Sequence, residues 1–150
     1  MPFCNNNGIR YYTFDIFPHM LVQAVFTRRG GVSPAPWNSL NVGGTVGDDR
    51  TRVQENRLRS FTALERGLNS MFDVWQVHST EAVFAEAPRP PEVDHYKADI
   101  IFTDRPGVTL YMRFADCVPI RARLFCPSCV AGEKCGLSRR QGGCGESFRK

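Results

Sequence analysis

Every periodic apolar segment of this chain lies before Ile120, and residues 121–150 show no period at all. That break limits where a core can form. Strands and helices bury a face because apolar residues recur at every second or every third to fourth position. A stretch of Arg, Gly, Cys and Ser offers no such face. Residues 1–120 are therefore expected to hold the fold, and residues 121–150 to form a divergent, largely irregular tail.

Charge and cysteine divide at the same place. Residues 121–150 hold seven basic and two acidic side chains, leaving twelve against thirteen in residues 1–120, so the formal +4 belongs to the tail. A basic balance normally points to nucleic acid, but the body carries no such signal, and no nucleic-acid partner is expected. Cys4 and Cys117 are the only cysteines of the body, while Cys126, Cys129, Cys135 and Cys144 crowd the tail. No apolar run reaches the length of a membrane span, and the start has no signal-peptide pattern. These features point to a soluble, cytoplasmic protein with reduced thiols and no membrane partner.

Along the body, "IRYYTFDIF" (9–17) and "LVQAVFT" (21–27) read as strands broken by Pro18. A long stretch of Gly, Pro, Ser and Asn without period, "RRGGVSPAPWNSLNVGGTVGDD", follows, and loops of that length usually carry function. Asp48 or Asp49 is placed to cap a helix running to about Arg66, with Gly67 as its terminating glycine. "MFDVWQVH" and "EAVFAEA" read as strands meeting near Ser79-Thr80, and "ADIIFT" and "GVTLYMRFADC" as two more joined by the turn Asp104-Arg105-Pro106-Gly107. One helix among at least five strands predicts an α/β (α+β) domain, a sheet with helices against it.

Several residues could carry chemistry. His78 and Cys117 each end a strand, so an imidazole and a thiolate from neighbouring strand ends could bind a metal or form a nucleophile and base. The alternative is a buried structural cysteine and a surface histidine. "TRRGGVS" sets Arg28 and Arg29 beside a glycine pair, an arrangement that could hold a phosphate or serve only as a solvated turn. Asn38 and Asn41 could bond a ligand or satisfy their own loop. His19 and His95 have no companions in sequence and read as surface residues.

Taken in order, "FTRRGGVSPAPWNSLNVGGTVGDD", "VQENRLR", "WQVHST" and "ADIIFTDRPGVTLYMRFADCVPI" resemble the laccase-domain family, the YfiH-like polyphenol oxidoreductases or purine nucleoside phosphorylases, from about Val25 to Ile120. The resemblance implies a three-layer α/β/α sandwich, here incomplete at its C-terminus, with a metal site of one cysteine and two histidines. It places the cysteine on Cys117, one histidine on His78, and substrate- or phosphate-binding residues on Arg28 and Asn41. It implies zinc, with copper possible, and purine nucleoside and phosphate as ligands. The implied activities are phosphorolysis of adenosine, inosine and methylthioadenosine, and adenosine deamination. Polyphenol oxidation and peptidoglycan-precursor editing are linked to other members. An open metal position would activate water or polarise a purine substituent, and Asp116 would orient a ligand or carry a proton.

The second histidine of the family lies in a "HAGWRG" motif after the "ADC" strand, and this chain has no histidine after His95. With two ligands of three, the chain is expected to be a truncated, inactive form. Codons can be chosen for Ser138-Arg139-Arg140-Gln141-Gly142 that, shifted by one nucleotide, read His-Ala-Gly-Arg-Gly, so a slipped reading frame near Ile120 accounts for the tail. The rival account makes Cys126, Cys129, Cys135 and Cys144 a zinc knuckle on a catalytically dead fragment.

Overall fold

The computed structural model describes residues 3–17 and 21–123. His19, the tail cysteines and the irregularity expected of residues 124–150 lie outside the described residues. The chain divides into two compact units, Met1–Cys117 and Val118–Lys150. All helices and strands described below belong to the first.

A three-stranded antiparallel sheet opens the chain, with strands β1 (Phe3–Asn6), β2 (Ile9–Tyr12) and β3 (Val25–Phe26). The turn between β1 and β2 is Asn7-Gly8, with φ of 50° and 78°. Two successive positive φ values match the right-handed twist of a tight hairpin, which is why Asn-Gly is favoured there. The strands are shorter than the sequence pattern predicts. After Tyr12 the chain turns, with the Phe17 amide bonding the Phe14 carbonyl at 3.4 Å. The β2–β3 ladder runs through Tyr11↔Phe26 and Tyr12↔Val25, so β3 begins at Val25.

The predicted helix forms as α1, Arg50–Thr62. Asp49 caps it, accepting from the Thr51 and Arg52 amides at 2.8 and 3.3 Å. Its C-terminus corrects the expectation for Gly67. Glu65 takes the left-handed conformation, φ 55°, and the Glu65 and Arg66 amides bond the Thr62 and Phe61 carbonyls at 3.0 Å each. Those two bonds close a Schellman motif with Glu65 at its left-handed position, two residues before Gly67. Gly67, free of that duty, starts a 3-10 turn at Leu68–Ser70. Val53 and Phe61 face inward from the helix, and Ile9, Leu40 and Ala63 form a core cluster against Tyr11 and Phe26. Burying a side chain the size of Ile9, which is 0% exposed, contributes about 1.5–3 kcal/mol.

The remaining strands are β4 (Met71–Asp73), β5 (Ala82–Phe84), β6 (Ile100–Phe102) and β7 (Thr109–Tyr111). β4 pairs with β7 and β5 with β6, both parallel, and the bridge Trp75↔Lys97 joins the two ladders. Backbone bonds show how. Trp75 exchanges bonds with Tyr96 and Ala98, and the Ile100 amide and Phe102 carbonyl bond Glu81 and Ala85. Tyr96, Ala98, Ile100 and Phe102 point the same way along a strand, so one edge of the 96–102 segment holds residue 75 and then residues 81–85. The two strands expected to meet near Ser79-Thr80 are thus two pairings with one neighbour, and residues 76–80 are an excursion between them. Phe72, Val74, Ala85, Ala98 and Val108 make the core beneath.

β7 ends at Tyr111 rather than running to Cys117. The Val74 carbonyl, where the ladder would continue, lies 3.3 Å from Arg113 Nη2, a side-chain donor in place of a backbone amide. The mixed helix and strand class expected from the pattern is what the described residues show. No helix among them is long and apolar enough to cross a membrane.

Candidate functional site

β4 and β7 run parallel in register, Asp73 opposite Tyr111, so both chains leave this pair at the same end. His78 follows five residues after Asp73 and Cys117 six after Tyr111. His78 sits at the crest of the 76–80 excursion with φ 59°, a conformation that costs a non-glycine residue about 1–2 kcal/mol. Its side chain is exposed, and so is that of Cys117. The alternative of a cysteine sealed in the core therefore does not hold.

Asp99 fixes the excursion. Its Oδ2 accepts from the Val77 amide at 3.2 Å, the Ser79 amide at 2.7 Å and the Ser79 hydroxyl at 3.1 Å. These bonds, the Ser79 amide foremost and the His78 amide among them, hold the Asp99 carboxyl below the usual carboxylate range. Asp116 is exposed in a bend outside any strand, so the strand alternation expected to turn it away from Cys117 does not apply.

Arg28 and Asn41 belong to the long loop between β3 and α1. The Arg28 carbonyl accepts from the Ser39 and Leu40 amides at 2.7 and 2.9 Å, and Arg28 Nε donates to the Asn38 carbonyl at 2.8 Å. This side chain is exposed. The glycine pair does not serve as an anion nest. Ser39 Oγ takes the Gly30 and Gly31 amides at 3.1 Å each, and Asn56 Oδ1 takes the Val32 amide at 2.8 Å. The Asn41 amide is similarly engaged, with Asp48 Oδ2 at 2.9 Å and with both backbone groups of Gly43. Ser33 Oγ completes this network, donating to Asp48 at 2.6 Å, and with Asn41 it lowers the Asp48 pKa. Among the described residues, no hydrogen bond or ion pair joins Arg28 or Asn41 to His78 or Cys117.

A second polar cluster lies under the sheet end, and the sequence pattern did not single it out. Asp73, whose side chain is 1% exposed, meets Arg89 at 2.7 Å and Arg113 at 2.7 Å. His95 Nε2 stands 3.0 Å from the same carboxylate, which corrects the expectation of a histidine without companions. Arg57 reaches from α1 to the Val42 carbonyl with Nε and Nη2 at 3.0 and 2.9 Å. Its pKa is lowered, by burial first and by Arg113 second. Burial pushes the Tyr111 phenol up to about 12. A signal for this cluster was present: Asp73 and Arg113 interrupt apolar strands, and a charge in such a place must be paired.

The donor chemistry of His78 and Cys117 fits zinc or copper, which take imidazole nitrogen and thiolate sulfur. The donor count does not. Catalytic zinc sites use three protein ligands, and among the described residues no group of three or more His, Cys, Asp or Glu could hold a metal ion.

A family model described as multi-copper polyphenol oxidoreductase laccase matches residues 22–127. A purine nucleoside phosphorylase of Streptomyces griseus is 40% identical over 98 residues, covering 63% of this chain and 39% of that protein. One from Pseudomonas aeruginosa is 40% identical over 109 residues, covering 73% and 40%. The chain thus spans about two fifths of the length of these relatives. Among solved structures, YlmD from Geobacillus stearothermophilus aligns with a TM-score of 0.64 at 31% identity, covering 77% of this chain and 45% of that one. Bacillus licheniformis YfiH aligns at 0.58 and 25% identity, covering 73% and 39%.

Proposed function

Because the chain belongs to the multi-copper polyphenol oxidoreductase laccase family, we propose that it carries the histidine–cysteine half of a purine nucleoside phosphorylase-type metal site. His78 and Cys117 are its two ligands, and Arg28 is the arm that receives phosphate. The observation that carries this reading is the parallel, in-register pairing of β4 and β7, which sends both ligand-bearing segments out of one end of the sheet. The names of the relatives supply the reaction class. Inosine, adenosine and methylthioadenosine are the proposed substrates, with adenosine deamination as the accompanying activity.

In this reading Asn41 shapes the loop and Arg28 alone meets the anion, since the Asn41 amide is engaged within its own loop. Asp116, exposed beside Cys117, is the proposed proton carrier. The cation is zinc, and copper suits the same donors. With two donors the affinity for metal falls well below that of a complete site, so the 150-residue chain is expected to be inactive alone. Hypoxanthine release from inosine and phosphate, measured on the purified chain with added zinc, should stay at background. Robust turnover that disappears in Cys117→Ala would overturn the proposal of an incomplete site. Oxidation of a simple phenol by the copper-loaded chain, without purine turnover, would favour the polyphenol activity in the family's name.

A further inference from the structure

We propose that this chain holds a second oxyanion site, a phosphate-binding site made by Arg57, Arg113 and the Tyr111 hydroxyl under the end of the β4–β7 pair. It uses neither the metal ligands nor the Arg28 arm.

The fold brings these groups together from two sides. Tyr111 is the last residue of β7 and pairs in register with Asp73, and side chains opposite each other in a ladder share a face. Arg113, two residues on, reaches back to that face, with Nη1 2.7 Å from Asp73 Oδ2 and Nη2 3.3 Å from the Val74 carbonyl. Helix α1 covers it from the other side, its Phe61 ring 5.4 Å from that of Tyr111. Arg57 stands one helical turn before Phe61 and so on the same side of α1. The electrostatics agree with this convergence. Burial first and Arg113 second lower the Arg57 pKa, and both guanidiniums oppose the burial that raises the Tyr111 phenol.

The cluster is short of negative charge. Arg89 and Arg113 share the Asp73 carboxylate, Oδ1 meeting Arg89 and Oδ2 meeting Arg113 and His95. Arg57, half-buried, donates instead to the neutral Val42 carbonyl, and among the described residues no ion pair joins it to a carboxylate. Three guanidiniums thus face one acid, whereas charge taken out of water is normally matched. Donors are left over as well. Among the described residues Arg57 Nη1, Arg113 Nε and the Tyr111 hydroxyl make no hydrogen bond, although Tyr111 is only 8% exposed. With its pKa at about 12 the phenol keeps its proton near neutral pH. Two guanidiniums and a hydroxyl repel a cation and suit an oxyanion, because arginine donors match phosphate oxygens. Two positive charges are uncompensated, and a phosphate group carries about −1.5 to −2 near neutral pH. The ligand is therefore a phosphate, free or as a monoester.

The test titrates the 150-residue chain with inorganic phosphate at constant ionic strength, with ribose 5-phosphate as the monoester probe. Arginine Nε–H and tyrosine ring signals are followed by NMR. Phosphate should shift Arg57, Arg113 and Tyr111 together, with one dissociation constant. Tyr111→Phe removes one oxygen and keeps the ring on Phe61. It should weaken binding about tenfold, the worth of one hydrogen bond to a charged group, and Arg57→Gln should weaken it about tenfold or more. If Arg57→Gln does not fold, Tyr111→Phe against the parent decides. Tighter binding of ribose 5-phosphate would name a monoester as the ligand, and tighter binding of inorganic phosphate the free ion; either upholds the site. Affinity within twofold of the parent in Tyr111→Phe, shifts confined to Arg28, or no saturable shift with either probe would overturn the proposal.

Discussion

Asp73→Ala should destabilise the chain by about 3–5 kcal/mol, the cost of removing one partner from a buried charge cluster. The reason lies in what stays behind. Arg89 and Arg113 are 7% and 21% exposed and both aim guanidinium donors at this one carboxylate. Arg89 Nη1 already donates to the Val93 and Pro90 carbonyls at 2.6 and 3.1 Å, but without Asp73 its charge would stand uncompensated. Against a total stability of about 5–15 kcal/mol for a domain, such a loss moves the urea midpoint strongly or abolishes folding. Asp73→Leu combined with Arg89→Met and Arg113→Met should recover a large part, because a buried ion cluster replaced as a whole by apolar groups is often neutral. An alanine variant with an unchanged midpoint would show that the cluster is not a stabilising element.

The same cluster sets a pH dependence. Burial alone would raise the Asp73 pKa, but hydrogen bonds from Arg113 and Arg89 outweigh it and hold the group below its usual value. A carboxyl depressed in the folded state contributes stability that is fully present above its unfolded pKa of about 3.9. That stability is lost as pH falls through the lower folded pKa. Urea midpoints should therefore decline below about pH 4 in the parent, and more shallowly in Asp73→Asn.

Gly30→Ala and Gly31→Ala should each be severely destabilising, for different reasons. Gly30 has φ 97°, and a Cβ there would overlap the Gly8 carbonyl. The left-handed backbone costs about 1–2 kcal/mol, and overpacking adds about 1–3 kcal/mol. Gly31 has an ordinary backbone, but its Cβ would overlap the Ser39 carbonyl and stand 2.5 Å from Leu40 Cα and Asn56 Oδ1. Backbone cannot yield as a side chain tip can. Since Asn56 also bonds Ser33 Oγ at 2.9 Å and the Asn41 carbonyl at 2.7 Å, the strain would spread through the loop that carries Arg28. Thermal melts of the two variants check this, and a transition within a degree or two of the parent would contradict it.

What the sequence made legible follows from which interactions are local. Asp49 as a cap and the turn at residues 105–108, where the Val108 amide bonds the Arg105 carbonyl at 3.0 Å, depend on neighbours in the chain, and their residue types announce them. The Asn7-Gly8 hairpin is equally local, but the polar Asn5 and Asn6 before it hide the first strand. Strand ends were not legible, because they depend on where a distant partner stops: nothing in the pattern of "LVQAVFT" shows that the ladder to β2 begins only at Val25. The glycine pair misled for the same reason. Its amides looked free for an anion until Ser39, eight and nine residues on, took both. His78 and Cys117 are proposed as ligands from their residue types and the family resemblance. The parallel register that brings their segments to one end, and the Asp99 clamp beneath His78, are long-range pairings that no local pattern encodes.

The most direct test of the shared His78–Cys117 site is zinc binding by the purified chain beside Cys117→Ala and His78→Ala, with cobalt substitution reporting thiolate coordination. One weakly held metal, showing a sulfur-to-cobalt band that each single substitution removes, is the expected result. A tightly held metal that survives both substitutions would place the centre elsewhere, on the cysteines of residues 126–144, and would contradict the account.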